Sequence, residues 1–214
     1  FDFPNAGLIG DAYNPEKNGS ITGDIAAVGG KTYETLAEAF NVAGGDDIVY
    51  LLGDTTEARF TINAQQSITL DLGGNKLTSL GFLNYGTLDI KNGALAGSTK
   101  DYSTIESTGI LTLTDVDVEG TRHAVRVEGG TAVIDGGNYV VPGTLGMTTH
   151  AINVSDGGEV TIKSGTFTGP KGTVSDSGAA VSMDSDGMYL STVYGQGNDM
   201  TALFDTIIDY IPAP

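Results

Sequence analysis

The chain has no cysteine, which excludes a disulfide framework, a thiol nucleophile and a cysteine metal site. Basic residues are scarce: 10 Lys and Arg stand against 27 Asp and Glu, for a formal net charge of -17. A surface of that sign repels nucleic acid and anionic membranes and leaves cations or neutral sugars as easier partners. Long apolar runs are also missing. The longest, such as Ile48-Val49-Tyr50-Leu51-Leu52 and Ile207-Ile208, fall far short of the roughly 18 residues a membrane-spanning helix needs. No signal peptide heads the sequence, and its opening on Phe1 rather than Met suggests a processed or trimmed product that has lost a leader.

What is present is glycine, 32 in 214 residues, spread without a collagen period between stretches where apolar and polar residues alternate. Laid under one another, these stretches repeat: Leu70-Asp71-Leu72, Leu88-Asp89-Ile90, Leu111-Thr112-Leu113, Ala132-Val133-Ile134 and Val160-Thr161-Ile162. Each precedes a turn and a further apolar residue, namely Leu77, Leu95, Val118, Tyr139 and Phe167. Asn75, Gly93, Gly137 and Gly165 occupy four of the five turns. A second strand is read around Ile105, Val125-Arg126-Val127, Ile152-Asn153-Val154 and Val181-Ser182-Met183. Two or three strands per unit, repeated at uneven spacing, predict an all-β right-handed parallel β-helix with loops at its corners. An antiparallel sandwich would favour two-residue Asn-Gly or Asp-Gly hairpins, which are few here.

Helical spacing appears twice, on either side of the repeat. Leu36, Ala39, Phe40 and Ala43 share one face of a helix predicted over about 32–43, with Thr32 placed to cap it and Gly44-Gly45 to stop it. Leu203, Phe204, Ile207, Ile208 and Ile211 mark a second helix over about 201–211, ended by Pro212. A stack of strands exposes an apolar cross-section at each end, so both helices read as caps. The second could instead dock on a partner and make a homo-oligomer. Residues 1–30 read as an extended lead-in, and 31–214 as one domain with rungs over about 48–195.

Three segments of this sequence resemble the opening of pectate-lyase-like right-handed β-helix domains in bacterial surface proteins. They are Tyr33-Glu34-Thr35-Leu36-Ala37-Glu38-Ala39-Phe40, then Gly45-Asp46-Asp47-Ile48-Val49-Tyr50-Leu51-Leu52-Gly53-Asp54, then Ser67-Ile68-Thr69-Leu70-Asp71-Leu72-Gly73-Gly74-Asn75. The resemblance covers residues 31 to about 79, and phage tailspikes are similar in the same way. It implies an extracellular or cell-surface location, with adhesins, polysaccharide lyases, hydrolases and virion subunits as the family's functions. It specifies fold more than function.

Lyases of this kind pair an Arg or Lys base with acidic calcium ligands. With Val125 and Val127 inward, Arg126 faces outward, in a column with Glu106, Asn153 and Ser182. The plain reading is a Glu106 to Arg126 surface ion pair. The catalytic alternative makes those two residues a divergent lyase site. The one Asp-Asp pair, Asp46-Asp47, lies beside the first cap, and neither histidine sits between glycines, so a polygalacturonase-type site is not seen. His123 and His150 align on successive coils; two imidazoles could share a metal, but with no aligned third His and no cysteine the favoured reading is a structural ladder or solvated corner. Glu128, Asp156, Asp184 and Asp186 recur near one corner and could share calcium, which no other feature requires. Sugar binding would use exposed aromatics. Tyr102, Tyr189 and Tyr194 are the candidates, and Tyr139, aligned with Phe167, reads as core. The preferred function is a non-catalytic structural or adhesive module that binds carbohydrate or a protein surface. Alternatives are a secreted lyase or hydrolase and a phage decoration or tailspike subunit.

Overall fold

The computed structural model describes residues 23–142 and 150–168, together with the backbone of strands at 174–177, 180–189, 194–195 and 198–199. The chain first makes an antiparallel hairpin, β1 (Ala26–Val28) and β2 (Lys31–Tyr33), and a single helix turn pair, α1 (Leu36–Val42). Coils then follow. The first carries β3 (Ile48–Leu51), β4 (Thr55–Glu57) and β5 (Phe60–Ile62); the second β6 (Ser67–Asp71), β7 (Lys76–Ser79) and β8 (Phe82–Asn84). Next come β9 (Thr87–Gly97) and β10 (Ile105–Ser107), β11 (Ile110–Glu119) and β12 (His123–Glu128), then β13 (Thr131–Asp135), β14 (Asn138–Val140) and β15 (His150–Ser155). The described strands end with β16 (Glu159–Thr168), β17 (Val174–Ser177), β18 (Ala180–Tyr189), β19 (Tyr194–Gly195) and β20 (Asn198–Asp199).

Strands one coil apart pair in parallel, giving two stacks. One runs β3, β6, β9, β11, β13, β16, β18; the other runs β5, β8, β10, β12, β15, β17. The fold is therefore an all-β parallel solenoid. The first stack bends into two faces where the backbone turns left-handed at Asn92 (φ 59), Asp115 (φ 52) and Gly136 (φ 84), which share one corner. Asn and Asp tolerate that conformation because their short side chains bond locally.

The core is a set of ladders. Leu77, Leu95, Val118, Tyr139 and Phe167 stack as their spacing predicts, all buried. Ile105, Val125 and Ile152 do the same in the second stack. Phe60 and Phe82 stack with centroids 4.9 Å apart, and Phe40 of α1 meets Phe60 edge-on at 5.3 Å.

Four details differ from expectation. Ile68, not Leu70, pairs with Leu88, and Leu70 pairs with Ile90. Val181-Ser182-Met183 belongs to the first stack, opposite Val160 to Ile162, while Val174–Ser177 supplies the second-stack strand. The helix begins at Leu36 rather than near Thr32, because Thr35 and Glu38 form a capping box while Thr32 pairs in β2. Ala26 and Ala27 of β1, within the stretch read as lead-in, pair with β3 as part of the sheet. The helix expected over 201–211 lies outside the described residues. Among the described residues no helix is long and apolar enough to cross a membrane.

Candidate functional site

The outward face of the second stack carries the candidate column. Alternation puts the flanking Ile105, Ser107, Val125 and Val127 inside, so Glu106 and Arg126 emerge side by side in register, followed by Asn153. Ser182 is not in this column; Ser175 takes that backbone position. The expected Glu106 to Arg126 ion pair is not formed. Arg126 Nη2 instead meets Glu128 Oε1 at 2.8 Å, two residues along its own strand. Glu106 Oε2 receives Arg59 Nη2 at 2.5 Å, from the residue just before β5 two coils below. Glu106 also accepts from the Ser103 N–H at 3.2 Å. Each half of the proposed base and acid couple is thus held by another group.

Arg59 was not singled out by sequence, and it organises this face. Its guanidinium carbon lies 3.9 Å from the centroid of the Tyr102 ring, a cation–π contact. Tyr102 sits on the segment between β9 and β10, which is clipped down on both sides. Ser98 Oγ donates to the Ser79 carbonyl at 2.8 Å, Thr121 Oγ1 to the Thr99 carbonyl, and Arg122 Nη1 to the Asp101 carbonyl at 3.4 Å. Tyr102 remains 39% exposed. Of the other aromatic candidates, Tyr189 pairs with Phe167 in the first stack and Tyr194 with Ser175 in the second, so the three tyrosines do not share one strand position.

The acidic residues do not gather at one corner. Glu128 ends β12, Asp156 follows β15 in a left-handed turn (φ 54), and both belong to the second stack. Asp184 and Asp186 lie in β18 of the first stack, with Asp186 opposite Ser164. The mistaken sheet for residues 181–183 carried the two aspartates with it. Among the described residues no group of three or more His, Asp or Glu side chains is placed to hold a metal ion.

The histidines do stack, as expected, and the corner is buried. His123 and His150 are 5% and 3% exposed, with ring centroids 5.6 Å apart and planes within 10°. On the third face, the small side chain of Ala94 leaves a dip of about 330 Å³ between Lys76 on one side and Asp117, Glu119, Asn138 and Val140 on the other. Its charges are engaged: Asp117 Oδ1 accepts from the Asn138 N–H and Nδ2, each at 2.8 Å, and Lys76 Nζ lies 3.7 Å from Glu119. On the remaining face, burial raises the Asp89 pKa, with Lys91 opposing.

No family model matches the chain, and no curated protein or solved structure matches it.

Proposed function

We propose that this chain is a non-catalytic solenoid module displayed outside the cell, whose Tyr102 platform contacts a neutral glycan. One observation carries the reading: the Arg59 guanidinium lies against one side of the Tyr102 ring, while the residue as a whole keeps 39% exposure. The open part of the ring then lies on the opposite face and rim, which is the geometry a sugar ring uses to stack on an aromatic. A pinned platform loses little freedom on binding. The net charge of -17 favours a neutral sugar over a uronate. Location outside the cell is supported by the resemblance to surface-protein β-helices. Right-handed winding is the expectation for parallel strands joined by crossovers. In the same reading α1 and the β1–β2 hairpin cover the first end of the stack, which Phe40 on Phe60 supports.

A glycan array followed by calorimetry on the best neutral glycan tests this. Tyr102→Ala should weaken binding roughly tenfold or more, and Tyr102→Phe should retain it. Binding that ignores Tyr102→Ala would remove the platform from the account. Unsaturated product from a uronate polymer, lost in Arg126→Ala, would replace the reading with the lyase.

A further inference from the structure

His123 and His150 are the only buried titratable pair stacked between coils among the described residues, and the function proposed above does not use them. They occupy the same register position of β12 and β15. The His150 backbone N–H donates to His123 Nδ1 at 3.1 Å. That bond sets the chemistry of the ring. A nitrogen accepts only with a bare lone pair, so the geometry assigns the neutral imidazole with its proton on Nε2.

Burial is the largest influence on His123, and the charges that add to it are the His150 ring from the next coil, Arg122 just before the strand and Arg126 within it, all opposing a second proton. The carboxylates of the elements packed around it are engaged elsewhere. Glu128 of β12 bonds Arg126, Glu106 of β10 bonds Arg59, and Glu119 at the end of β11 lies toward Lys76. From β15 the outward neighbour is the uncharged Asn153. Burial, and after it these charges, lower the His123 pKa from 6.5 to about 4.

We propose that the His123–His150 step is an acid-sensitive junction in the solenoid, at which protonation of His123 Nδ1 parts the coil of β12 from the coil of β15. A proton on Nδ1 turns the acceptor into a donor that faces the His150 N–H, and it places a cation in a stack already bordered by two arginines. Other coils are joined through titratable acceptors too, Asp54 Oδ1 to the Lys76 N–H and Asp117 Oδ1 to the Asn138 N–H, but those bonds are exposed, whereas the histidine step is buried and an unfolded imidazole binds its proton well above the carboxylate range. Acid therefore loosens this step first, and the cross-section exposed there is apolar, formed by Ala124, Val125 and Val127 against Ala151, Ile152 and Val154.

The direction with pH follows from linkage. The folded state holds His123 neutral with a depressed pKa, whereas the unfolded chain binds the proton near 6.5. Stability is thus complete above about 6.5 and is lost as pH falls from there toward 4. The unfolding equilibrium should rise by up to about 300-fold over that interval, the ratio of the two proton affinities.

Two measurements on the intact chain test the junction. In a proton titration followed by NMR of the histidine ring carbons, one imidazole should titrate near pH 4. Melting curves from neutral pH downward should then be compared with His123→Asn, whose Oδ1 can accept the same N–H and does not titrate. The wild type should lose stability and gain apolar-dye binding on acidification, and His123→Asn should do so much less. Two histidines titrating near 6.5 would overturn the proposal even if the variant failed to fold, and so would parallel pH profiles of wild type and variant.

Discussion

Tyr139 is fully buried, with Phe167 stacked on it at 5.0 Å, and its hydroxyl meets no hydrogen-bond partner. Burial, with Asp117, Asp115 and Asp135 adding to it, raises its pKa, so the phenol stays neutral. A buried hydroxyl without a partner costs about 1–3 kcal/mol. Tyr139→Phe keeps the stacked ring and removes that oxygen. Its unfolding free energy in denaturant should be unchanged or higher by about 1 kcal/mol; a clear loss would show that the hydroxyl is bonded. Asn84 is the contrasting case. It is also fully buried, but its Nδ2 donates to Ser107 Oγ at 3.0 Å and to the Ile110 carbonyl at 2.9 Å, and its Oδ1 accepts from the Gly86 N–H at 3.1 Å. Legibility at this scale divides the same way. That Tyr139 is core follows from its alignment with Phe167, because a ladder position fixes burial. That Glu106 bonds Arg59 does not follow from register, since a long side chain crosses two coils to reach it.

At the scale of the element, the corner between the second stack and the next coil is built of glycine. A Cβ on Gly109 would lie 2.1 Å from the Gly86 carbonyl oxygen, and one on Gly130 would lie 2.4 Å from the Gly109 carbonyl oxygen. The same carbonyls accept the coil-to-coil bonds from Ile110 and Thr131, at 2.8 and 2.9 Å. Backbone therefore rests directly on backbone. Gly109→Ala should lower stability by about 1–3 kcal/mol in denaturant melts, whereas Gly53→Ala, with open space around it, should change it by less than about 0.5. An unaffected Gly109→Ala would mean the corners are not in contact. The contact of these glycines with one another appears only once the coils are stacked. The slip at Leu70 has a physical cause: side chains alternate with period two, so a shift of two residues preserves every inward position. Ile68 and Leu70 are both buried and either one fits the anchor. Val181-Ser182-Met183 fails for a related reason, because the alternation is identical in both stacks and only pairing tells them apart. The helix start was legible in Thr35-Leu36-Ala37-Glu38, whose spacing is that of a capping box.

For the whole molecule, stacking coils bring like residues into columns, and the charge pattern is arranged around that. On the outer face of the first stack the column of Asp71, Lys91, Thr114 and Asp135 alternates in sign or charge, with Lys91 3.9 Å from Asp71 and Lys163 3.9 Å from Asp135. These pairs are partly exposed, so each contributes about 0–1 kcal/mol at most, and their role is to avoid like-charge stacking. The account depends on coils that climb in a single direction. Thr69, Asp89, Thr112, Val133 and Thr161 mark that climb in four successive parallel steps. Because the chain has no cysteine, cysteines introduced at 69 and 161 carry the only spin labels, and a dipolar electron resonance measurement reads the distance between them. Four steps of a parallel stack predict backbone positions about 19 Å apart in a single population; a broad distribution, or a distance that does not shorten by about 5 Å when the first label moves from 69 to 89, would contradict the solenoid.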